Sequence, residues 1–324
     1  MTQAINLVVS CTSRKRYDTA PGMAVHEIKE PNLDARLRIW KERLGAVRTE
    51  EYPAAEIYMG DHWCVARSIP KEAARCGLSI RLWISSAGYG LIRPDTPIKP
   101  YQATFARGEQ DYIGVGITGT GEVEQKWWAG VCAYRIRNKE NANSPRSLQA
   151  LAEAFPRTPM VVALSVDYLR AVKEDLAATF HNQFFLEHLS IVSCGTRERH
   201  SVWRNNLLPC DGSMSRALGG TLTSLNVRVV RRLFQLWGGA APTVEHLAKL
   251  TGQIGHQSRS ICKRAPSRDS EVADFIYSRL NKAPGISKTK LLGEFRNAGQ
   301  ACEQRRFGEI YARIRREVMP ELYA

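Results

Sequence analysis

The sequence predicts an α/β fold: a layered, mainly parallel sheet with a C-terminal helical part of helix-turn-helix or winged-helix character. Three observations carry this. Short apolar runs alternate with helix-patterned segments over the first two thirds of the chain. Three of those runs end in Ser, Gly or Thr, as strands do where they feed ligand loops. Residues 226–324 hold 18 Lys plus Arg against 9 Asp plus Glu, a net of +9, so basic charge gathers in the smaller part.

The totals set the frame. A chain of 324 residues favours two domains, and 44% hydrophobic residues supply a core that disordered chains lack. The boundary is expected near residue 222, giving an α/β domain at 1–222 and a basic helical domain at 223–324. A net charge of +14 points to a polyanion, with double-stranded DNA the expected partner. No stretch of about 18 apolar residues exists to span a bilayer, so no membrane partner is expected. The run Ile5–Val9 is too short for a signal peptide, and the eight cysteines are scattered without a CxxC pair. Together these lead to an expected cytoplasmic location, reduced thiols, and neither metal nor cofactor.

Taken in order, Ile5–Val9 is the first strand, and its exit reads "SCTSRKR". Asn32 to Leu44 carries Leu33, Leu37, Trp40 and Leu44 at helical spacing, and Asp61 to Cys76 is helical with an interruption at Pro70. "SIRLWI" at Ser79–Ile84 is the second strand, with the exit "SSAGYGLIRPD". Residues 107–147 read as irregular: a glycine-rich flap, then a polar linker. In the pair Trp127–Trp128 between them, one ring is expected in the core and the other free to stack on a base. "MVVALSV" and "LSIVS" are the remaining strands, separated by a helix over Val166–Thr179, and the last exit reads "SCGTRERH". Beyond Leu225 an amphipathic helix ends at Gly238–Gly239, and Thr243 and Ser287 each start another. Glu303 to Val318 forms the last helix.

If the strands lie side by side, one edge gathers Ser10, Ser13, Ser85, Ser86, Gly88, Ser193, Gly195, Arg197 and His200. Short side chains let backbone N–H groups approach a ligand, and Arg14, Lys15, Arg16, Arg197 and His200 would balance phosphate charge. Lys288, Lys290, Arg305 and Arg306 offer the same from the basic helices. No P-loop, GxGxxG, HExxH, GxSxG or kinase signature is present. Among the acids near these loops, Asp95 and Asp111 are the candidates to activate water or stabilise a cationic sugar, with capping roles as the alternative. Cys11, beside three cations, is either a nucleophile or a buried thiol.

The segments "LVVSCTSRKR", "AAEIYMGDHWCVAR", "WISSAGYGLIRPDTPIKPYQATF" and "GEQD" resemble, in that order, an uncharacterised bacterial and phage domain family. That family is related to the carboxyl-side domain of archaeosine synthase and, more distantly, to uracil-DNA-glycosylase-like folds. The resemblance covers roughly residues 5–130. It marks Ser10, Cys11, Ser13, Tyr58, Ser86, Tyr89, Gly90, Pro94, Tyr101 and Asp111. One such protein is an antiphage DNA glycosylase acting on glucosylated hydroxymethylcytosine, which implies a similar base excision here, leaving an abasic site. Tyr89 and Tyr101 are then expected to stack on a flipped base, with Ser10, Cys11, Ser13, Ser85, Ser86 and Ser193 around it. Two departures stand out. "TSRKR" follows Cys11 where the family often has "SKKK", and the first acid after the strand is only Asp18. The alternatives are a base-exchanging or base-modifying enzyme of deazaguanine type and a non-catalytic DNA-binding sensor.

Overall fold

The computed structural model describes residues 3–118, 122–134, 144–196, 201–255 and 265–318. Two compact units divide between Ser258 and Arg259.

In the first unit, β1 (Gln3–Ser10) is buried over its last six residues. α1 (Leu33–Ala46) starts where the Asn32 side chain accepts from the Ala35 N–H at 3.0 Å, and it buries Leu37, Trp40 and Leu44. A two-residue strand, β2 (Tyr52–Pro53), and one turn of helix, α2 (Ala54–Ile57), lead to α3 (Asp61–Ala74). α3 runs through Pro70 without stopping. Val65, Ala66, Ile69 and Ala73 are all buried, and that apolar face outweighs the one backbone bond that proline removes.

β3 (Leu78–Ser86) turns back at once into β4 (Gly90–Ile92), followed by β5 (Pro97–Ile98), which pairs with β2. α4 (Val123–Cys132) and α5 (Leu148–Ala154) precede β6 (Met160–Ala163). The expected single helix over 166–179 is two, α6 (Val166–Ala171) and α7 (Lys173–Thr179), broken at Val172. α8 (Phe184–His188) enters β7 (Leu189–Val192). α9 (Ser215–Leu218), α10 (Leu225–Gln235) and α11 (Val244–Gly252) complete the unit, the last capped by Thr243 accepting from the His246 N–H at 3.1 Å.

The central sheet has the order β4-β3-β1-β6-β7, parallel throughout except for β4. α3 and α10 pack on each other and on the sheet, α3 against β3 and α10 against β6 and β7. Asp61, the first residue of α3, fastens this pair: it accepts from Arg228 and from the Ser224 hydroxyl, each at 2.5 Å. The Ser224 hydrogen bond, with Arg228 adding to it, holds the carboxyl below its ordinary pKa.

Two expectations are corrected here. The boundary near 222 falls inside the first unit, because α10 buries Val227, Val229, Val230, Leu233 and Phe234 under the sheet. The glycine-rich stretch ends in a helix, α4, in which both Trp127 and Trp128 are fully buried, so neither ring is free to stack on a base.

The second unit holds β8 (Ala265–Pro266), α12 (Asp269–Lys282), α13 (Lys288–Asn297), β9 (Gln300–Ala301) and α14 (Gln304–Val318). Val272, Ile276, Leu280, Leu291, Phe295, Phe307 and Ile310 form its own core. Ser287 caps α13 through the Lys290 N–H at 3.3 Å.

The turn between β3 and β4 sets the tightest requirement. A Cβ at Gly88 would stand 2.5 Å from the Tyr101 ring and 3.2 Å from Trp40. Trp40 also donates to the Gly88 carbonyl at 2.9 Å. Overpacking of this kind costs about 1–3 kcal/mol. Gly88→Ala is therefore expected to lower the thermal midpoint by several degrees, whereas Gly238→Ala, where a Cβ meets nothing, leaves it unchanged.

Candidate active site

The parallel register places Ser10 opposite Ser85, and the Cys11 N–H donates to the Ser85 carbonyl at 2.9 Å. The exits of β1 and β3 are thus adjacent. The exit of β7 lies on the same sheet edge, two strands away, beyond β6.

Behind Cys11 the space is filled by hydroxyls. The Cys11 thiol lies 3.0 Å from the Tyr168 hydroxyl and 3.5 Å from that of Tyr101. Tyr101 in turn lies 3.1 Å from the Tyr58 hydroxyl and 2.7 Å from Ser86 Oγ. Ser86 Oγ also accepts from the N–H groups of Gly88 and Tyr89, at 3.3 and 3.1 Å, which fixes the turn. Burial, then the nearby Cys11, holds the Tyr58, Tyr101 and Tyr168 phenols far above their ordinary pKa, so they stay neutral.

In front of this layer stand residues with open surface. Lys15 is half-buried; its Nζ lies 4.5 Å from the Tyr101 ring centre and 5.8 Å from that of Tyr58. It donates to the carbonyls of Thr12 and Ser13 at 3.0 and 3.2 Å. Desolvation lowers its pKa, and the proximity of Cys11 and Asp111 opposes that in part. Asp111 Oδ1 pairs with His26 Nδ1 at 2.6 Å, both side chains partly exposed.

The loop that carries Asp111 is braced. The Thr104 N–H donates to the Asp111 carbonyl at 2.9 Å, and the Ile113 N–H to the Thr104 carbonyl at 3.1 Å. Glu124, 2% exposed, accepts from Arg107 at 2.8 Å and from the Tyr112 hydroxyl at 2.7 Å. Burial pushes the Glu124 carboxyl up, and those two hydrogen bonds more than reverse the effect. The loop is thereby tied to α4 on either side of Asp111.

Of the residues expected at the site, Ser10, Cys11, Ser85, Ser86, Tyr89, Tyr101 and Ser193 are all buried. Cys11, Ser86 and Tyr101 belong to the connected layer behind the loop at 12–16. Tyr89 points inward, its hydroxyl bonded to the Lys99 backbone, so it offers no free ring face. Ser193 pairs with Thr196 at 2.8 Å and joins neither Cys11 nor Asp111. Ser13, Arg14 and Arg16 are exposed, and Lys15 turns inward. Asp95 is not brought to this edge. It pairs with Arg93 at 2.6 Å beside a cleft of about 750 Å³ lined by Arg67, Arg81, Trp83 and Phe155. β4 runs antiparallel and carries the chain back to that cleft, away from the strand exits.

Arg197 and His200 lie outside the described residues. In the second unit Lys288 and Lys290 are exposed, Arg305 pairs with Glu309 at 3.1 Å, and Arg306 pairs with Asp269 at 2.5 Å.

Sequence reasoning did not find His26, Lys15 as an inward group, Tyr168, Glu124 or His62. Each takes its place from a partner distant in sequence, so spacing gives no signal for it, although Lys15 lies in the first strand exit and His62 in the second of the family-like segments. Comparison with known proteins found no matching family model, no matching curated protein and no matching solved structure. Among the described residues, no three His, Cys, Asp or Glu side chains gather as metal ligands, and no helix is long and apolar enough to cross a membrane.

His62 gives the site a pH limit. Its Nε2 lies 3.1 Å from the Ser10 carbonyl and 3.3 Å from Ser10 Oγ, and burial lowers its pKa below the ordinary 6.5. A group whose folded pKa is depressed favours the fold fully above its unfolded pKa and loses that support as pH falls. The thermal midpoint is therefore expected to fall between pH 7 and pH 5. In His62→Gln the fall should be shallower; an identical slope would show that His62 is not the group responsible.

Proposed function

We propose that the chain is a DNA glycosylase that hydrolyses the N-glycosidic bond of a modified base, with a glucosylated base as the first candidate, in phage DNA, leaving an abasic site as an antiphage defence. The observation that carries this reading is a carboxylate, Asp111, oriented by His26 and within electrostatic reach of the Lys15 amine, in front of the paired exits of β1 and β3.

The chemistry suits such a group. Departure of the base leaves positive charge on the sugar, which a fixed carboxylate stabilises, and the same carboxylate can take a proton from the attacking water. His26 holds that carboxylate in one orientation. The loop after Cys11 offers backbone N–H groups to a base edge, and the neutral phenols and Ser86, buried and bonded to one another, hold that loop from behind. The exposed Arg14 and Arg16 on that loop would grip phosphates. Base flipping costs a few kcal/mol, which such contacts help offset.

In this reading the first unit has a uracil-DNA-glycosylase-like arrangement. The three helices of the second unit serve as a helix-turn-helix or winged-helix-like module, with Lys288 and Lys290 as its free phosphate ligands, and the protein acts in the cytoplasm.

The test is incubation with plain, glucosylated and deazaguanine-bearing duplexes, followed by alkali. Alkali-labile breaks confined to one modified duplex are expected. Unbroken strands on all three, with DNA binding retained, would remove excision and leave a base-exchanging or base-modifying enzyme or a sensor. Asp111→Asn is expected to keep DNA affinity and lose excision by about 10²–10⁴-fold, the usual worth of a general acid or base. His26→Gln should lose less, because the carboxylate remains. Normal turnover by Asp111→Asn would rule out this acid.

A further inference from the structure

Lys15 is placed unlike an ordinary surface lysine. Its Nζ lies over the Tyr101 ring and donates to the carbonyls of Thr12 and Ser13. Asp111 and Cys11 act on it through space, but among the described residues no ion pair closes on it. Partial burial favours the neutral amine. A neutral amine that donates its two hydrogens to two carbonyls has its lone pair at the one remaining tetrahedral position, with the ammonium's third donor gone. That is the state an amine needs to attack a carbonyl carbon. The carboxylate that acts on it, Asp111, is held in place by His26.

We infer that Lys15 is an amine nucleophile that condenses with the C1′ aldehyde of an abasic site and converts that site into a strand break. This rests on the reading of the chain as a glycosylase, whose product is that aldehyde in its ring-opened form. The lone pair of Nζ bonds to C1′, and the aldehyde oxygen takes up protons and leaves as water, giving an iminium. Asp111 then removes a proton from C2′. The freed electron pair forms the C2′–C3′ double bond, and the C3′–O bond breaks, releasing the 3′-side strand as a 5′-phosphate. Water hydrolyses the iminium and frees Lys15. No oxidant or reductant is consumed.

The test uses the full-length protein and a duplex with a preformed abasic site, made beforehand from a deoxyuridine duplex by a separate uracil glycosylase. Borohydride is added to reduce any iminium to a stable amine. The wild-type protein is expected to cut the strand without alkali and to form a covalent adduct whose peptide map places the sugar on Lys15. Lys15→Arg, which keeps the charge and loses the nucleophile, should fall to the background set by the other lysines. Lys71→Arg, on an exposed lysine of α3, should trap as the wild type does. Equal trapping by Lys15→Arg, or an adduct mapped to other lysines in the wild type, overturns the proposal. The wild-type map decides even if Lys15→Arg does not fold. Because the abasic site is supplied, the outcome is separate from base excision: excision without a Lys15 adduct removes the lyase step alone, and a Lys15 adduct without excision of any modified base removes the glycosylase reading alone.

Discussion

The pairing of β1 with β3 is the interaction on which the rest depends. Eight residues of β1 run parallel to β3 in one register, from Gln3 opposite Leu78 to Ser10 opposite Ser85. Parallel pairing sends both chains out at the same edge, so two polar loops leave the sheet side by side. A slip of one residue would turn Ser10 and Ser85 to the other face and swing Cys11 away from Tyr168 and Tyr101. The buried apolar residues of β1, Ile5 and Leu7 to Val9, fix that register because their faces are covered on both sides.

Polar groups are costly to bury, and this edge buries many. The cost is met by connection: Cys11, Tyr58, Tyr101, Tyr168 and Ser86 are joined through the contacts between them, and Ser86 also holds the turn after β3. Exceptions sit on the same two strands, where Ser85 Oγ and Asn6 Nδ2 have no hydrogen-bond partner among the described residues. Each such group costs about 1–3 kcal/mol. A connected layer of this kind is stiff, and stiffness there fixes the loop at 12–16 in front of it. The brace from Glu124 to Arg107 and Tyr112 does the same for the loop of Asp111. The edge is thus built as a rigid floor with two polar loops set on it.

What the sequence made legible was local. The caps at Asn32, Thr243 and Ser287 start helices where the residues alone place them, because a cap needs only the N–H groups two or three residues on. The four parallel strands were readable as short apolar runs. β4 was not, since its turn depends on Gly90 at φ +73° and on the Ser86 hydroxyl. α4 was hidden behind glycines, and α12 was passed over although Val272, Ile276 and Leu280 recur every four residues. The boundary was misplaced because charge changes at residue 226 while the core does not end there. At the site, Asp111 and Cys11 could be marked from the sequence, but His26 is 85 residues from Asp111 and Tyr168 is 157 from Cys11. Only the fold brings such pairs together, and nothing in spacing announces them.

The central claim is that DNA bases are received in front of the paired exits of β1 and β3. Photo-crosslinking tests it directly. A duplex with a photoreactive analogue at the target base would be bound by Asp111→Asn protein, irradiated and mapped by mass spectrometry. Crosslinks to residues 12–16 and to the loop at 105–113 are the result the account predicts. Crosslinks confined to the Arg67 and Arg81 cleft, or to the second unit, would contradict it.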